Sequence, residues 1–280
     1  MNKNDMELKY LELGYYLAGL IEGDGNIWTQ KQLRGNNGRM KNPQIMLTFH
    51  MKEINLYKHI KGILGGGCFY KSKNGNAFRY TVSDLSTLLK LINLVNGKFR
   101  TPKIIYLYRA IDYLNLRYNM NISKLPLDKS NINSNAWLAG MTDSDGCFHI
   151  SIYTPKSRNV RIICSYTLTQ RKIDEPLSLS CVPFMTEIAN LFKCSLHYKK
   201  GNAITFIAQA NSKHYLVKSY FDKFPLMSSK YLEYLCFLKG LNYLNKRLTE
   251  EEILEVKAVK NSMNMRRTFF SWDHLKNFYQ

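Results

Sequence analysis

Acidic residues are scarce in this chain. It has 21 Asp and Glu against 40 Lys and Arg, a formal charge of +19 over 280 residues. A surplus of that size repels itself and favours a polyanionic partner, nucleic acid above all. The basic residues are spread along the chain rather than gathered in one tail, which suggests an extended binding face. Long apolar runs are missing too. No stretch of about 18 apolar residues occurs, so no membrane-spanning helix and no membrane association are expected. The opening MNKNDMELKY lacks the apolar core of a secretory signal. The six cysteines (Cys68, Cys147, Cys164, Cys181, Cys194, Cys236) include no CxxC pair. Cys194 and His197 have no second pair at zinc-site spacing, so buried free thiols in a reducing compartment are expected. What is plentiful is apolar residue, 45% of the chain, enough to bury the core of one large domain or two ordinary ones.

The chain repeats itself. Residues 17–25 read LAGLIEGDG and residues 138–146 read LAGMTDSDG, so Leu17 to Leu138 and Asp24 to Asp145 share an offset of 121. After each motif a strand-like stretch ends in LTFHMKE (47–53) or LTQRKID (168–174), where His50 and Gln170 are matched at an offset of 120. KFRTPKIIYLYRAIDYLN (98–115) then answers PLMSSKYLEYLCFLKGLN (225–242), with Lys103 against Lys230 at an offset of 127. A near-constant offset over several landmarks means two copies of a unit of about 120 residues. The expected division is 1–120, a polar and Asn-rich linker at 121–135, and 136–280. Each copy reads as a motif helix, two strands, a helix, two strands and a helix. Thr249, followed by acids, opens a further helix over 249–261.

The motif can carry chemistry. Gly19 and Gly23, like Gly140 and Ser144, lie four residues apart on one helix face. Small residues so spaced let two helices pack with backbones nearly touching, and this pairing is expected to join the halves. Gly25 and Gly146 suit left-handed helix ends. That leaves Glu22, Asp24, Asp143 and Asp145 in last turns, where the helix dipole disfavours negative charge unless a cation compensates. If the helices cross closely, Asp24 and Asp145 converge. Two carboxylates with Mg²⁺ can activate water and stabilise a phosphodiester's leaving oxygen. DSDG at 143–146 begins like a calcium loop but lacks its later Gly and Glu, and GGG at 65–67 lacks the rest of a phosphate loop.

These two motifs resemble the signature helices of single-chain LAGLIDADG homing endonucleases, over about Leu11 to Asn242. The resemblance implies an α+β fold of two pseudo-symmetric αββαββα units, forming a saddle of curved antiparallel sheets and joined by packed motif helices. It implies a site-specific double-strand DNA endonuclease, monomeric and intron-encoded, that cuts a long asymmetric target with divalent metal and leaves 3′ overhangs. Mg²⁺ is the expected metal, with Mn²⁺ or Ca²⁺ able to occupy the site. Asp24 and Asp145 then match the metal-binding acids, the carbonyls of Gly23 and Ser144 resemble auxiliary ligands, and Glu22 and Asp143 look like packing acids. Lys103 and Lys230 resemble the active-site lysines, with Lys71 and Lys199 as rivals. Gln170 resembles the polar active-site residue, matched in the first copy by His50. Base-reading candidates are Asn26, Trp28, Gln30, Arg34 and Gln44, and in the second half His149, Ser151 and Tyr153. Lys31, Lys41, Lys71, Lys73, Arg79, Lys156, Arg158, Arg161, Lys199 and Lys200 are candidates for phosphate. The alternative activity within this resemblance is an RNA maturase that binds its own intron RNA. The Asn, Lys and Tyr bias suits a mitochondrial intron.

Overall fold

A computed structural model describes residues 3–35, 38–72, 75–154, 160–209 and 211–277. The first motif forms the end of helix α1 (Lys3–Asp24), whose buried face is Leu13, Tyr16, Leu17, Leu20 and Ile21. The chain continues through β1 (Gly25–Trp28), β2 (Gln44–His50), a short 3-10 turn (Met51–Glu53), α2 (Ile54–Leu64), β3 (Cys68–Lys71) and β4 (Ala77–Val82). It then makes two helices where one was expected, α3 (Leu85–Val95) and α4 (Ile104–Tyr118). Asp84 caps α3 by accepting from the Thr87 N–H, which sets its start. The four strands form an antiparallel sheet in the order β1-β2-β4-β3. One face, with Ile27, Ile45, Leu47, Phe49 and Tyr80, is buried with apolar residues of α2 to α4. Each such side chain contributes about 1.5–3 kcal/mol of burial.

The second copy repeats this with additions. After α5 (Trp137–Asp145) come β5 (Gly146–Tyr153), β6 (Arg161–Arg171), a two-stranded hairpin of β7 (Ile173–Asp174) and β8 (Leu179–Ser180), and α6 (Val182–Leu191). Then follow β9 (Leu196–Lys199), β10 (Ala203–Ala208), α7 (Asn211–Lys223), α8 (Lys230–Leu241) and α9 (Glu250–Asn261). Its sheet has the corresponding order β5-β6-β10-β9. The β7–β8 hairpin has no counterpart in the first copy and accounts for the growth of the offset beyond 121. Phe148, Tyr166, Phe206, Phe221 and Phe237 make one aromatic core, with neighbouring rings 5.1 to 5.6 Å apart. Thr249 opens α9 with a full capping box to Glu252, as expected.

Gly25 and Gly146 correct one expectation: they are the first residues of β1 and β5, and neither is left-handed. Glycine is needed at 25 for room, since a Cβ there would lie 2.5 Å from the Ile21 carbonyl oxygen. The linker is extended but pinned. Asn115 donates to the Ile122 carbonyl and accepts from its N–H, and Asn96 does the same for Ser123 and Leu125. Arg100 binds Asp128 and Ser130. By compactness the chain divides into one unit up to Ser144 that also takes in the end from Leu275, and a second unit over Asp145–His274. The second motif helix therefore packs with the first unit, although the sequence repeat starts earlier. Of the cysteines, Cys164, Cys181 and Cys236 are buried as expected, while Cys68 and Cys147 are exposed because they fall on outward strand positions. Among the described residues, no helix is long and apolar enough to cross a membrane.

Candidate active site

In the first unit α1 and α5 pack with backbones in contact. A Cβ on Gly19 would lie 2.0 Å from the Trp137 carbonyl oxygen, and one on Gly140 would lie 1.9 Å from the Tyr16 carbonyl oxygen. Tyr16 and Trp137 are themselves repeat equivalents, so the contact is reciprocal. A second reciprocity sits beside it. The Tyr16 hydroxyl donates to Asp143 at 2.8 Å, and the Trp137 indole N–H donates to Glu22 at 2.6 Å. Glu22 also accepts from the backbone N–H groups of Arg100 and Thr101. Burial pushes its carboxyl up to about 7, against the opposing pull of those hydrogen bonds. Both acids are buried, so they act in packing rather than at a reacting surface.

Asp24 and Asp145, two residues on, are exposed at the ends of their helices. The Lys103 ammonium lies against the end of α1, donating to the carbonyls of Ile21, Gly23 and Gly25 at 3.1, 3.1 and 2.8 Å. It neutralises the helix C-terminus and flanks Asp24. The Gly23 carbonyl thus already accepts one hydrogen bond. In the second copy the Ser144 hydroxyl returns to the Met141 carbonyl, and Gln170 Nε2 donates to Asp145 Oδ2 at 2.7 Å. The Lys230 charge is felt at Cys147 on neighbouring β5, where it works against the rise that burial imposes on the thiol. Lys103 and Lys230 follow matching turns in which their N–H groups meet Thr101 Oγ1 and Ser228 Oγ.

Strand register corrects the match of His50 to Gln170. Gly25 pairs with Leu47, and Gly146 pairs with Leu168. Leu47-Thr48-Phe49 therefore answers Leu168-Thr169-Gln170, and the counterpart of Gln170 is Phe49. His50 lies one residue farther, on the outward face, where its Nδ1 accepts from the Lys52 N–H and caps the 3-10 turn. The rival lysines are not equivalent either. Lys71 stands opposite Phe78, in the row of Phe49, whereas Lys199 stands opposite Ala203, one residue from the row containing Gln170.

Both sheets turn a polar face outward. In the first, Asn26, Trp28, Gln44, Arg79 and Tyr70 lie there, with Arg79 over the Tyr70 ring. Met46 and Thr48 belong to the same face, and the alternation of QIMLTFH could have shown them. In the second, His149, Ser151, Tyr153 and Arg161 are joined by Ser165, Thr167, Thr169 and Arg171. Gln30 and Arg34 are occupied in a loop instead, bonding Leu33, Arg39 and Lys41 or Gly38. Lys31, Lys41, Lys71, Lys199 and Lys200 are exposed. Lys73, Lys156 and Arg158 lie outside the described residues.

Among the described residues no cluster of three His, Cys, Asp or Glu side chains is placed to hold a metal. What each motif offers is one exposed carboxylate and a backbone carbonyl before it. An oxygen-only, ligand-poor set of this kind suits a hard cation that completes its shell with water and phosphate, as Mg²⁺ does.

Comparison with known proteins agrees with this arrangement. A sequence model of the family described as LAGLIDADG endonuclease matches residues 17–114 and 138–241. The chain is 31% identical to the intron-encoded DNA endonuclease aI3 of Saccharomyces cerevisiae, over 98% of this chain and 75% of that protein. Among solved structures it is similar to the I-LtrWI LAGLIDADG homing endonuclease bound to target DNA, with a TM-score of 0.68 and 20% identity over 93% of this chain and 99% of that one. It is also similar to I-SmaMI bound to an uncleaved DNA target with calcium ions, with a TM-score of 0.67 and 18% identity, covering 90% and 98%. At those identities the structural likeness shows the α+β fold of two repeats.

Proposed function

The chain belongs to the LAGLIDADG endonuclease family, and on that premise we propose that it is a site-specific double-strand DNA endonuclease of the homing type. The observation that carries this is the repeated one: an exposed aspartate ending a buried helix, twice, each followed by a sheet with a polar outward face. In this reading Asp24 and Asp145 hold divalent metal, Mg²⁺ by preference, aided by the carbonyls of Gly23 and Ser144. When bound, that metal supplies activation of water and stabilisation of the leaving oxygen. Gln170 fixes the Asp145 carboxylate by its hydrogen bond. Lys103, held by the carbonyls of Ile21, Gly23 and Gly25, keeps positive charge beside Asp24.

Target reading falls to the outward strand faces. The amides of Asn26 and Gln44 suit adenine edges, His149 and Ser151 can donate or accept, and Arg79 and Arg161 suit guanine or phosphate. The exposed lysines supply the sequence-independent attraction. The division into repeats at 1–120 and 136–280 belongs to this reading, as do 3′ overhangs, a monomer carrying both halves, and a mitochondrial intron as the gene's setting. The intron-encoded yeast relative supports that setting.

The test is cleavage of a randomised duplex library with Mg²⁺ and then with Ca²⁺. Cutting at one long site with Mg²⁺ is expected, reduced about a hundredfold or more by Asp24→Asn and by Asp145→Asn. Folded protein that binds intron RNA and cuts no duplex would replace this reading with the maturase.

A further inference from the structure

Beyond the second repeat the chain adds helix α9 and the turn Asn264–Arg266, and the charges there are sorted. Acids of α9 are taken up locally. Glu252 closes the capping box and pairs with Lys246, and Glu255 accepts from the Tyr243 hydroxyl. The basic residues fall at the other end, with Lys257 exposed and Lys260 in the last turn. The turn that follows is pinned on both sides. Asn264 Nδ2 donates to the Phe148 carbonyl of β5, while the Asn264 N–H and the Arg267 guanidinium hold Glu233 of α8. Arg267 is thus turned inward. Its neighbour Arg266 is exposed and donates to the uncharged Asn261 side chain at 2.6 Å. Lys260, Met265 and Arg266 line, with outward-facing His149, a shallow pocket of about 210 Å³ beside β5. The His149 imidazole sits below its usual range, first through burial and then through the Lys260 ammonium. In the first copy the place beside β1 is an open groove, with Trp28 where the second copy has His149.

We propose that Lys260 and Arg266 form a phosphate clamp, a DNA-backbone contact added beyond the repeat that grips the duplex along the edge of the second sheet. β5 is an edge strand of that sheet. When the outward face of a sheet lies in the major groove, about 12 Å wide, its edge strand is the one nearest the bordering phosphates. Two cations held beside that edge by a pinned turn meet those phosphates with little freedom left to lose. Contacts of this kind carry no base sequence; they fix register and add an attraction that salt weakens. The proposal rests on the endonuclease reading for the place of the sheet on DNA.

The experiment measures binding of the full chain to a labelled duplex of about 30 base pairs and arbitrary sequence, in Ca²⁺ buffer over a series of KCl concentrations. Lys260→Gln with Arg266→Gln should weaken binding and lower the slope of log affinity against log salt by about 2, with the melting temperature unmoved. Lys213→Gln with Lys239→Gln removes equal charge from α7 and α8, helices that pack on the sheet, and should change the slope far less. Lys260→Arg with Arg266→Lys keeps both charges and should keep the slope. On the duplex recovered by library cleavage, ethylation interference should vanish in the double Gln variant at about two phosphates on the side of the second half. A slope lowered no more than in the α7 and α8 control would overturn the proposal. So would loss of binding to a hairpin RNA with duplex binding unchanged. Duplex bound with the expected slope but never cut with Mg²⁺ would strike the endonuclease reading alone, and protein that binds no duplex would remove both.

Discussion

Two glycines and one buried acid decide whether the motif helices can meet. Gly19→Ala would drive a Cβ into the Trp137 carbonyl, backbone that cannot rotate aside. The expected cost is about 3 kcal/mol, seen as a melting temperature lower by roughly 6–12 °C. Gly62→Ala is the control: nothing lies within 4 Å of its Cβ and it sits in helix α2, so calorimetry should show no loss. Glu22 gives a pH signature. Its carboxyl titrates near 4.5 when unfolded and about 7 when folded, so between those values the folded state holds the extra proton. Its contribution to stability is then full below pH 4.5, declines as pH rises, and is lost above 7, a change of about 3 kcal/mol. Denaturant melts across that window check the slope, and Glu22→Gln should flatten it. The residue scale is also where the sequence was read best and worst. Both aspartates, both glycines and Gln170 are visible in the motifs because chemistry restricts them to few residue types. The match of His50 to Gln170 pairs two polar side chains at an offset of 120. The constant offset of 121 runs instead through Leu47-Thr48-Phe49, and one residue of slip moves a side chain to the other face of a strand.

At the scale of elements, the unforeseen parts are α3, α7, the β7–β8 hairpin and the segment after α9. The first was hidden because an apolar run such as LSTLLKLINLV does not separate a buried helix from neighbouring structure by period alone, and the second because NSKHYLVKSYFDK is polar with only a weak apolar stripe. The last segment has a clear structural task. Arg267 Nε donates to Glu233 Oε1 at 2.7 Å, the Asn264 N–H donates to the other oxygen, and Asn264 Nδ2 reaches the Phe148 carbonyl of β5. Glu233 is buried on α8, and in the first copy its place is taken by Tyr106, which lines an open groove beside β1. Arg267→Ala would leave Glu233 buried without its cation, costing about 3 kcal/mol. Urea unfolding checks this; pairing Glu233→Leu with Arg267→Met should recover part of the loss. The groove of the first copy is therefore narrowed in the second by chain beyond the repeat, where Lys260 at the end of α9 and Arg266 stand beside outward-facing His149.

For the whole molecule, the repeat is legible because a duplicated unit prints its spacing directly into the chain, and the fold class is what the family resemblance of the repeated motif implies. What the repeat could not show was how far the copies have drifted from each other. The tyrosine–aspartate bond and the tryptophan–glutamate bond between α1 and α5 are matched by length. Tyr16 reaches the shorter acid, while Trp137 meets the longer one, which backbone N–H groups also hold. Two first-type helices set face to face would offer a phenol to a glutamate, and two second-type helices an indole to an aspartate, each pair out of step by a methylene. The halves have thus become obligate mates. Neither could now be expressed alone and expected to assemble with its own twin, and an exchange of one motif helix would have to carry both members of each pair across together.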